Sequence, residues 1–233
     1  MTPRPAHGEP VAWLESLDML GMKFGLTRMR ALLARLGHPE RIAAIHVVGT
    51  NGKSSTTRMA ARALSASGRL TGAYTSPHVT GWRERIEIDG RPVSEEDLAA
   101  ALAHVRAAAD ALGSPPDDGV TQFEVLTAAA LVAFRDAGVT AAVVEAGLGG
   151  RYDATNVLPD DAVVALTNVS LEHTDLLGDT EAEIAAEKLA VATPGSDRVV
   201  LGRLSPAADA AVTAIVAERG LAAWRQGRDH DAR

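Results

Sequence analysis

No cysteine occurs among the 233 residues. That absence excludes disulfides, thiolate nucleophiles and cysteine-based zinc sites together, and it fits a reducing, cytoplasmic setting. The opening stretch, MTPRPAHGEP, has no apolar signal core. No uninterrupted apolar run approaches the roughly 20 residues needed to span a bilayer, so no membrane segment is expected. Positive charge is in deficit: 23 Lys and Arg face 30 Asp and Glu, a formal net charge of −7. Nucleic acid is thereby disfavoured as a partner, because phosphate backbones demand clustered Lys and Arg. A local basic site for a small anion stays open. There is no internal repeat, and no low-complexity tract beyond a general enrichment in Ala.

What is present suits a globular protein, 46% hydrophobic and 23% charged, long enough for one large domain or two small ones. Residues 1–10 are proline-rich and expected to fray. Residues 11–36 read as one helix, with Leu26, Met29, Leu32, Leu33 and Leu36 at helical spacing and Gly37 as its stop. Ile42–Val48 is a short β-branched run. A turn follows, then a helical stretch from Lys53 to about Ser67, closed by Gly68, and a strand over Leu70–Tyr74. That is a β-turn-α-β unit of a parallel sheet. Ile86 and Ile88 alternate ahead of Asp89–Gly90, which predicts an antiparallel hairpin over Arg85–Val93. Ser94, with Asp97 three residues on, reads as the cap of an Ala-rich helix running to about Leu112. A turn-rich loop over 113–120 follows. Further helices are expected over Phe123–Asp136, Glu181–Ala192 and Pro206–Arg219, and further strands over Thr140–Ala146, Ala162–Val169 and Arg198–Gly202. Five or six strands alternating with helices predict an α/β fold, a doubly wound, mostly parallel sheet with a small β-hairpin. Ligands of such sheets lie beyond the carboxyl ends of the strands. The turns after residues 48, 74, 145 and 169 should therefore border one crevice.

The strongest motif fills the first of those turns: Gly49-Thr50-Asn51-Gly52-Lys53-Ser54-Ser55. Backbone N–H groups of such a loop, with the helix N-terminus behind them, cradle phosphates; Lys53 adds a point charge, and a following hydroxyl can reach Mg²⁺. The general P-loop pattern would place Gly at position 47, where this chain has Val. Glu145 ends the apolar strand and is followed by Gly147, Gly149 and Gly150. A carboxylate there, beside a phosphate loop, is where Mg²⁺–nucleotide enzymes place a metal ligand, although alone it reads equally as a solvated strand end. His173 follows the next strand, so by position it is either a metal contact or a structural histidine. Lys188, in AAEKLA, reads from its surroundings as an ordinary solvated helix lysine. The Thr75-Ser76-Pro77-His78 turn is weak by itself; Pro fixes the backbone and Ser offers a hydroxyl.

Taken in order, GMKFGL (21–26), GTNGKSS (49–55), YTSPH (74–78), ERIEI (84–88), TQFE (121–124), VVEAGLGGRYDATNV (143–157), LTNVSLEHTDLLG (166–178) and AAEKLAV (185–191) resemble the folylpolyglutamate synthase/dihydrofolate synthase branch of the Mur ligase family. The resemblance runs from about residue 11 to the end. It implies that Thr50 to Lys53 bind ATP, and that Ser76, Glu145 and His173 are ligands of two Mg²⁺ ions. It places Lys188 where the family carries a carbamylated lysine, and gives Met22, Lys23, Phe24, Thr121, Tyr152, Asp153 and Ala154 to the pterin substrate. The implied reaction moves the γ-phosphoryl group of ATP to a folate or dihydropteroate carboxylate, and glutamate then attacks the acyl phosphate. Ser54 stands where many relatives have Gly; Ser55 keeps the hydroxyl and joins the implied metal ligands.

Family enzymes carry a second, carboxy-terminal α/β domain. The expectation is therefore a single ATP-binding domain over 1–233, with the glutamate-ligase domain absent and little ligation by this stretch alone. The partners expected are small molecules, with no nucleic acid or membrane, and the protein a cytoplasmic monomer. Three other readings compete: another Mur-type amino-acid ligase, a non-catalytic ATP-binding module, and a nucleotide kinase. The matches at 21–24 and 121–124 argue against the first, and the GLGGRYDATN stretch against the kinase.

Overall fold

The computed structural model describes residues 8–17, 25–113, 119–196 and 198–229. Among these residues eight strands form one sheet in the order β4-β3-β2-β5-β1-β6-β7-β8. They are β1 (Ala44–Val48), β2 (Thr71–Tyr74), β3 (Ile86–Ile88), β4 (Arg91–Pro92), β5 (Ala141–Glu145), β6 (Val163–Leu166), β7 (Val199–Leu201) and β8 (Ala223–Arg225). The six strands from β2 through β8 run parallel, while β3 and β4 form the antiparallel hairpin at one edge. The helices are α1 (Gly8–Ser16), α2 (Thr27–Arg35), α3 (Lys53–Ala66), α4 (Glu95–Asp110), α5 (Gln122–Asp136), α6 (Thr174–Leu177), α7 (Glu181–Lys188) and α8 (Pro206–Arg219). This is the mostly parallel α/β sheet that the alternation of elements predicts.

The strand period of two distributes β5 between two cores. Ala142 and Val144 join the cluster built with α1, α2, α4 and α5, and Val143 packs with Val47, Ala73 and Ala61 under α3. A third cluster sets α7 and α8 against β6 and β7. Gly72 lets α5 lie directly on the sheet, since a Cβ there would sit 2.7 Å from the Phe134 ring. The helix ends follow their caps. Thr121 with Glu124 and Thr180 with Glu183 form complete capping boxes at α5 and α7. Ser205 caps α8, Pro206 occupies its first turn and left-handed Gly220 stops it.

Several expectations are corrected. The single helix over 11–36 is two helices; Gly25, at φ 114°, has non-helical backbone, and of the residues at helical spacing Met29, Leu32 and Leu33 lie in α2 while Leu26 and Leu36 cap it. Residues 8–10, expected to fray, form the first turn of α1, whereas residues 1–7 lie outside the described ones. The strand expected over Ala162–Val169 ends at Leu166, and the helix expected to reach Ala192 gives way at Leu189 to a 3₁₀ turn. Strand β8 and the four-residue α6 carry too little periodic pattern to be read from sequence.

Candidate functional site

The loop between β1 and α3 is held by the chain that leaves β6. The Thr50 N–H donates to the Asn168 carbonyl (3.1 Å) and the Asn51 N–H to Asn168 Oδ1 (2.9 Å). The Thr50 hydroxyl donates to the Ser170 carbonyl and accepts from the Ser170 N–H, and the Thr167 hydroxyl donates to the Asn51 carbonyl (2.7 Å). This explains why β6 stops early: residues 167–170 turn aside to wrap the phosphate loop. Gly49 is required where it stands, because a Cβ there would fall 1.9 Å from Thr167 Oγ1 and its φ is 145°. Gly52, also left-handed, opens α3 without a side-chain cap. The first N–H groups of that helix, at the positive end of its dipole, thus have no capping side chain and suit an anion. Lys53 Nζ donates to the carbonyls of Gly49 (2.9 Å) and Thr50 (3.2 Å), so its ammonium lies against the loop.

Glu145, the last residue of β5, is paired in register with Val47 and is 1% exposed. Its Oε1 accepts from the Ser54 hydroxyl (2.9 Å) and its Oε2 from the Ser76 N–H (3.1 Å). Burial raises its pKa; the Ser76 and Ser54 hydrogen bonds and the positive charges of Lys53 and Arg58 act the other way. The hydroxyl that reaches the carboxylate is Ser54's, whereas Ser55, the hydroxyl expected to reach Mg²⁺, is exposed.

Lys188 departs most from its sequence reading. It is 1% exposed rather than solvated, because α7 ends against the glycine-rich loop after Glu145: a Cβ on Gly150 would lie 2.6 Å from the Lys188 carbonyl oxygen. Its Nζ donates to the Gly49 carbonyl (3.1 Å) and to Glu172 Oε1 (2.5 Å). Burial pulls its pKa down and the Glu172 carboxylate pushes it back up. Glu172 and Asn168 escaped the sequence reading; their only signal was position, just beyond a parallel strand.

The structure therefore gathers the Gly49–Lys53 loop, Ser54, Ser76, Glu145 and Lys188 at one sheet edge. His173 sits at the same edge, left-handed (φ 44°) at the start of α6, with its side chain exposed. Among the described residues, no three His, Asp or Glu side chains converge on an ion-sized site. Thr121 is engaged in the cap of α5, Asp153 and Ala154 are buried, and Tyr152 is 47% exposed. Met22, Lys23 and Phe24 lie outside the described residues. No helix among the described residues is long and apolar enough to cross a membrane.

Comparison with known proteins finds similar sequences and similar folds. Dihydrofolate synthase/folylpolyglutamate synthase of Bacillus subtilis is 38% identical over 192 residues, covering 82% of this chain and 44% of the relative. Folylpolyglutamate synthase of Lacticaseibacillus casei is 42% identical over 225 residues, covering 96% and 52%. A solved FPGS–AMPPCP–folate complex matches with a TM-score of 0.88 at 41% identity, over 96% of this chain and 55% of that one. Mycobacterium tuberculosis folylpolyglutamate synthase complexed with ADP matches at 0.84 and 36%, over 95% and 50%. The chain spans about half the length of the curated relatives it matches. Residues 47–230, from the end of β1 to beyond β8, match the Mur ligase middle domain, and the chain belongs to that family.

Proposed function

We propose that this chain is the nucleotide-binding part of an ATP-dependent ligase that joins L-glutamate to folate or dihydropteroate. One observation carries the reading. The phosphate loop, the uncapped start of α3, Glu145 and Lys188 meet at a single sheet edge, in a chain similar over most of its length to folylpolyglutamate synthases. In this reading the γ-phosphoryl group of ATP passes to a substrate carboxylate, giving ADP and an acyl phosphate. The glutamate amine then attacks the acyl carbon and phosphate leaves. Such a reaction asks the protein mainly to position its partners and to offset phosphate charge.

The α3 N-terminus and Lys53 are suited to the nucleotide's phosphates. Lys53 uses two of its three N–H donors on its own loop, which leaves one for a ligand. The residues also fit Mg²⁺, a hard ion that takes one or two carboxylates plus phosphate and water rather than a full protein cage. Glu145 supplies the buried carboxylate, and its bound partners are two neutral donors that do not cancel its charge. Ser54, Ser55, Ser76 and His173 lie on the turns around it and are the other candidates. When bound, the ion would offset phosphate charge at that carboxylate. Lys188 has the burial and lowered pKa that carbamate formation by an amine requires. The pterin side falls to Thr121, Tyr152, Asp153 and Ala154. The remaining partners are small molecules, and the protein acts as a cytoplasmic monomer. Calorimetric titration of the chain with ATP and Mg²⁺ tests the nucleotide reading; saturable binding that requires Mg²⁺ supports it, and a flat titration removes it. Glutamate incorporation by the gene product tests the ligase reading.

A further inference from the structure

His46 lies in the middle of β1, 2% exposed, on the opposite face from Val47, and sequence reasoning gave it no role. Its Nε2 is 2.8 Å from Thr155 Oγ1, and Thr155 Oγ1 is 2.5 Å from Asp153 Oδ1. Asp153 Oδ1 also accepts from the Thr155 N–H (2.9 Å), and Oδ2 accepts from the Leu148 N–H (2.8 Å). These contacts form one chain of hydrogen bonds from the central strand to the backbone of the loop that follows Glu145.

The direction of that chain is fixed by proton counting. Burial raises the Asp153 pKa, but N–H donors reach both its oxygens and hold it as a carboxylate, so the single Thr155 hydroxyl proton points to Asp153. Thr155 Oγ1 then offers His46 only a lone pair, and His46 must donate from Nε2–H. Burial lowers the His46 pKa to about 4, which keeps the ring neutral at pH 7, and the bond to Thr155 then sets its single proton on Nε2. The loop at the far end has little slack. A Cβ on Gly147 would approach the Phe123 ring to 2.6 Å, and one on Gly149 would approach Leu177 Cδ2 to 2.8 Å. Gly150 rests on the end of α7, and the Arg151 N–H donates to the Glu187 carbonyl (3.2 Å).

We infer that His46 is a positioning residue: acting through Thr155 and Asp153, it holds the 147–150 loop in the one place that seats Glu145 and the Lys188 end of α7 beside the phosphate loop. An apolar residue would fill this strand position at lower cost, since a buried imidazole and a buried carboxylate must both be satisfied. The polar chain supplies what an apolar residue cannot, a directed contact to a backbone N–H of the loop. The link from loop position to ligand binding rests on the nucleotide reading of the site; the chain of hydrogen bonds itself does not.

The test compares His46→Leu, His46→Gln and Thr155→Val in the full chain. Gln can donate to Thr155 from its side-chain amide; Leu cannot, and Val removes the relay atom while keeping the shape. In ¹⁵N-labelled protein the Leu148 amide is expected downfield and slow to exchange, and the imidazole signals should report the Nε2–H form at pH 7. His46→Leu and Thr155→Val should both move the Leu148 amide upfield and speed its exchange, with the amides of α8 unchanged. His46→Gln should keep the Leu148 amide at its wild-type shift and exchange rate. In parallel, Mg²⁺–ATP affinity should fall about tenfold in the first two variants, the usual scale for loss of an outer-shell partner, and recover in His46→Gln. An unmoved Leu148 amide in both disrupting variants, or a Leu148 amide in His46→Gln displaced as far as in His46→Leu, overturns the inference. Should His46→Leu fail to fold, Thr155→Val decides alone. A wild-type chain with no ATP affinity would count against the nucleotide reading, while the Leu148 and imidazole signals would still decide the brace.

Discussion

Ser54 donates its hydroxyl proton to Glu145 Oε1 across 91 residues of sequence, and so joins the first turn of α3 to the carboxyl end of β5. The bond has a neutral donor and a buried, charged acceptor, the class worth about 1.5–3 kcal/mol. Ser54→Ala is therefore expected to lower stability by about 1.5 kcal/mol in urea titration, near the low end because Ser54 is only half-buried. A variant with an unchanged urea midpoint would mean that the bond contributes nothing.

Lys53 governs the second expectation. Lys53→Ala removes one charge-assisted phosphate contact, and Mg²⁺–ATP affinity should fall by about tenfold to a hundredfold. The effect should shrink as salt is raised, because the site lies at the protein surface. An ATP titration identical to wild type would clear Lys53 of any part in binding.

The third concerns Lys188 and Glu172. Removing one member of a buried pair leaves the other charge uncompensated, a loss of roughly 3–5 kcal/mol in fully buried cases. Glu172 is partly exposed, so Glu172→Gln should cost about 2–3 kcal/mol at pH 7. The Lys188 pKa already lies below its ordinary value, and without Glu172 it should fall further. For a lysine with a depressed folded-state pKa, stability is present above the unfolded value and is lost as pH falls through the folded one. The variant should thus recover stability on the alkaline side relative to neutral pH, more steeply than wild type. Parallel urea curves at pH 7 and 9.5 for the two proteins would contradict this. If the freed amine also forms a carbamate, ¹³C-bicarbonate should give a new carbonyl signal that Lys188→Met lacks.

Much of this arrangement could be read from residues alone, and the parts that could not share a cause. Strand–turn–helix context located the phosphate loop, and the carboxyl-edge rule placed Ser76 and Glu145 beside it, because both depend on local pattern and one topological principle. Pro206 and Gly220 punctuate α8 so clearly that its limits were legible to the residue. Lys188 was misjudged because its burial comes from a glycine 38 residues away in sequence, whose missing side chain lets the loop close over α7. Ser54 could not be separated from Ser55, since the phase of α3 against β5 decides which hydroxyl meets Glu145. Asn168 and Glu172 are invisible for the same reason; their partners, Thr50 and Lys188, come from other elements.

The last expectation is an acid instability that belongs to His46. Burial lowers its pKa from 6.5 to about 4. Between those values the unfolded chain takes up a proton that the folded chain refuses. Stability is full above pH 6.5 and falls as the pH drops toward 4, by about 3 kcal/mol over the whole window at the usual 1.36 kcal/mol per pH unit. Asp153 works in the opposite sense, because burial raises its pKa and the folded state then binds its proton first. The net curve should therefore be shallower than His46 alone would give. His46→Gln separates the two: it keeps the donor to Thr155, cannot titrate, and leaves Asp153 in place. Urea midpoints of wild type and His46→Gln, taken at intervals from pH 7.5 to 4.5, should run parallel above pH 6.5 and diverge below it, with wild type falling faster. Curves that stay parallel throughout would mean that His46 is not held neutral by the fold, and the Nε2–H donor assigned to it would lose its physical basis.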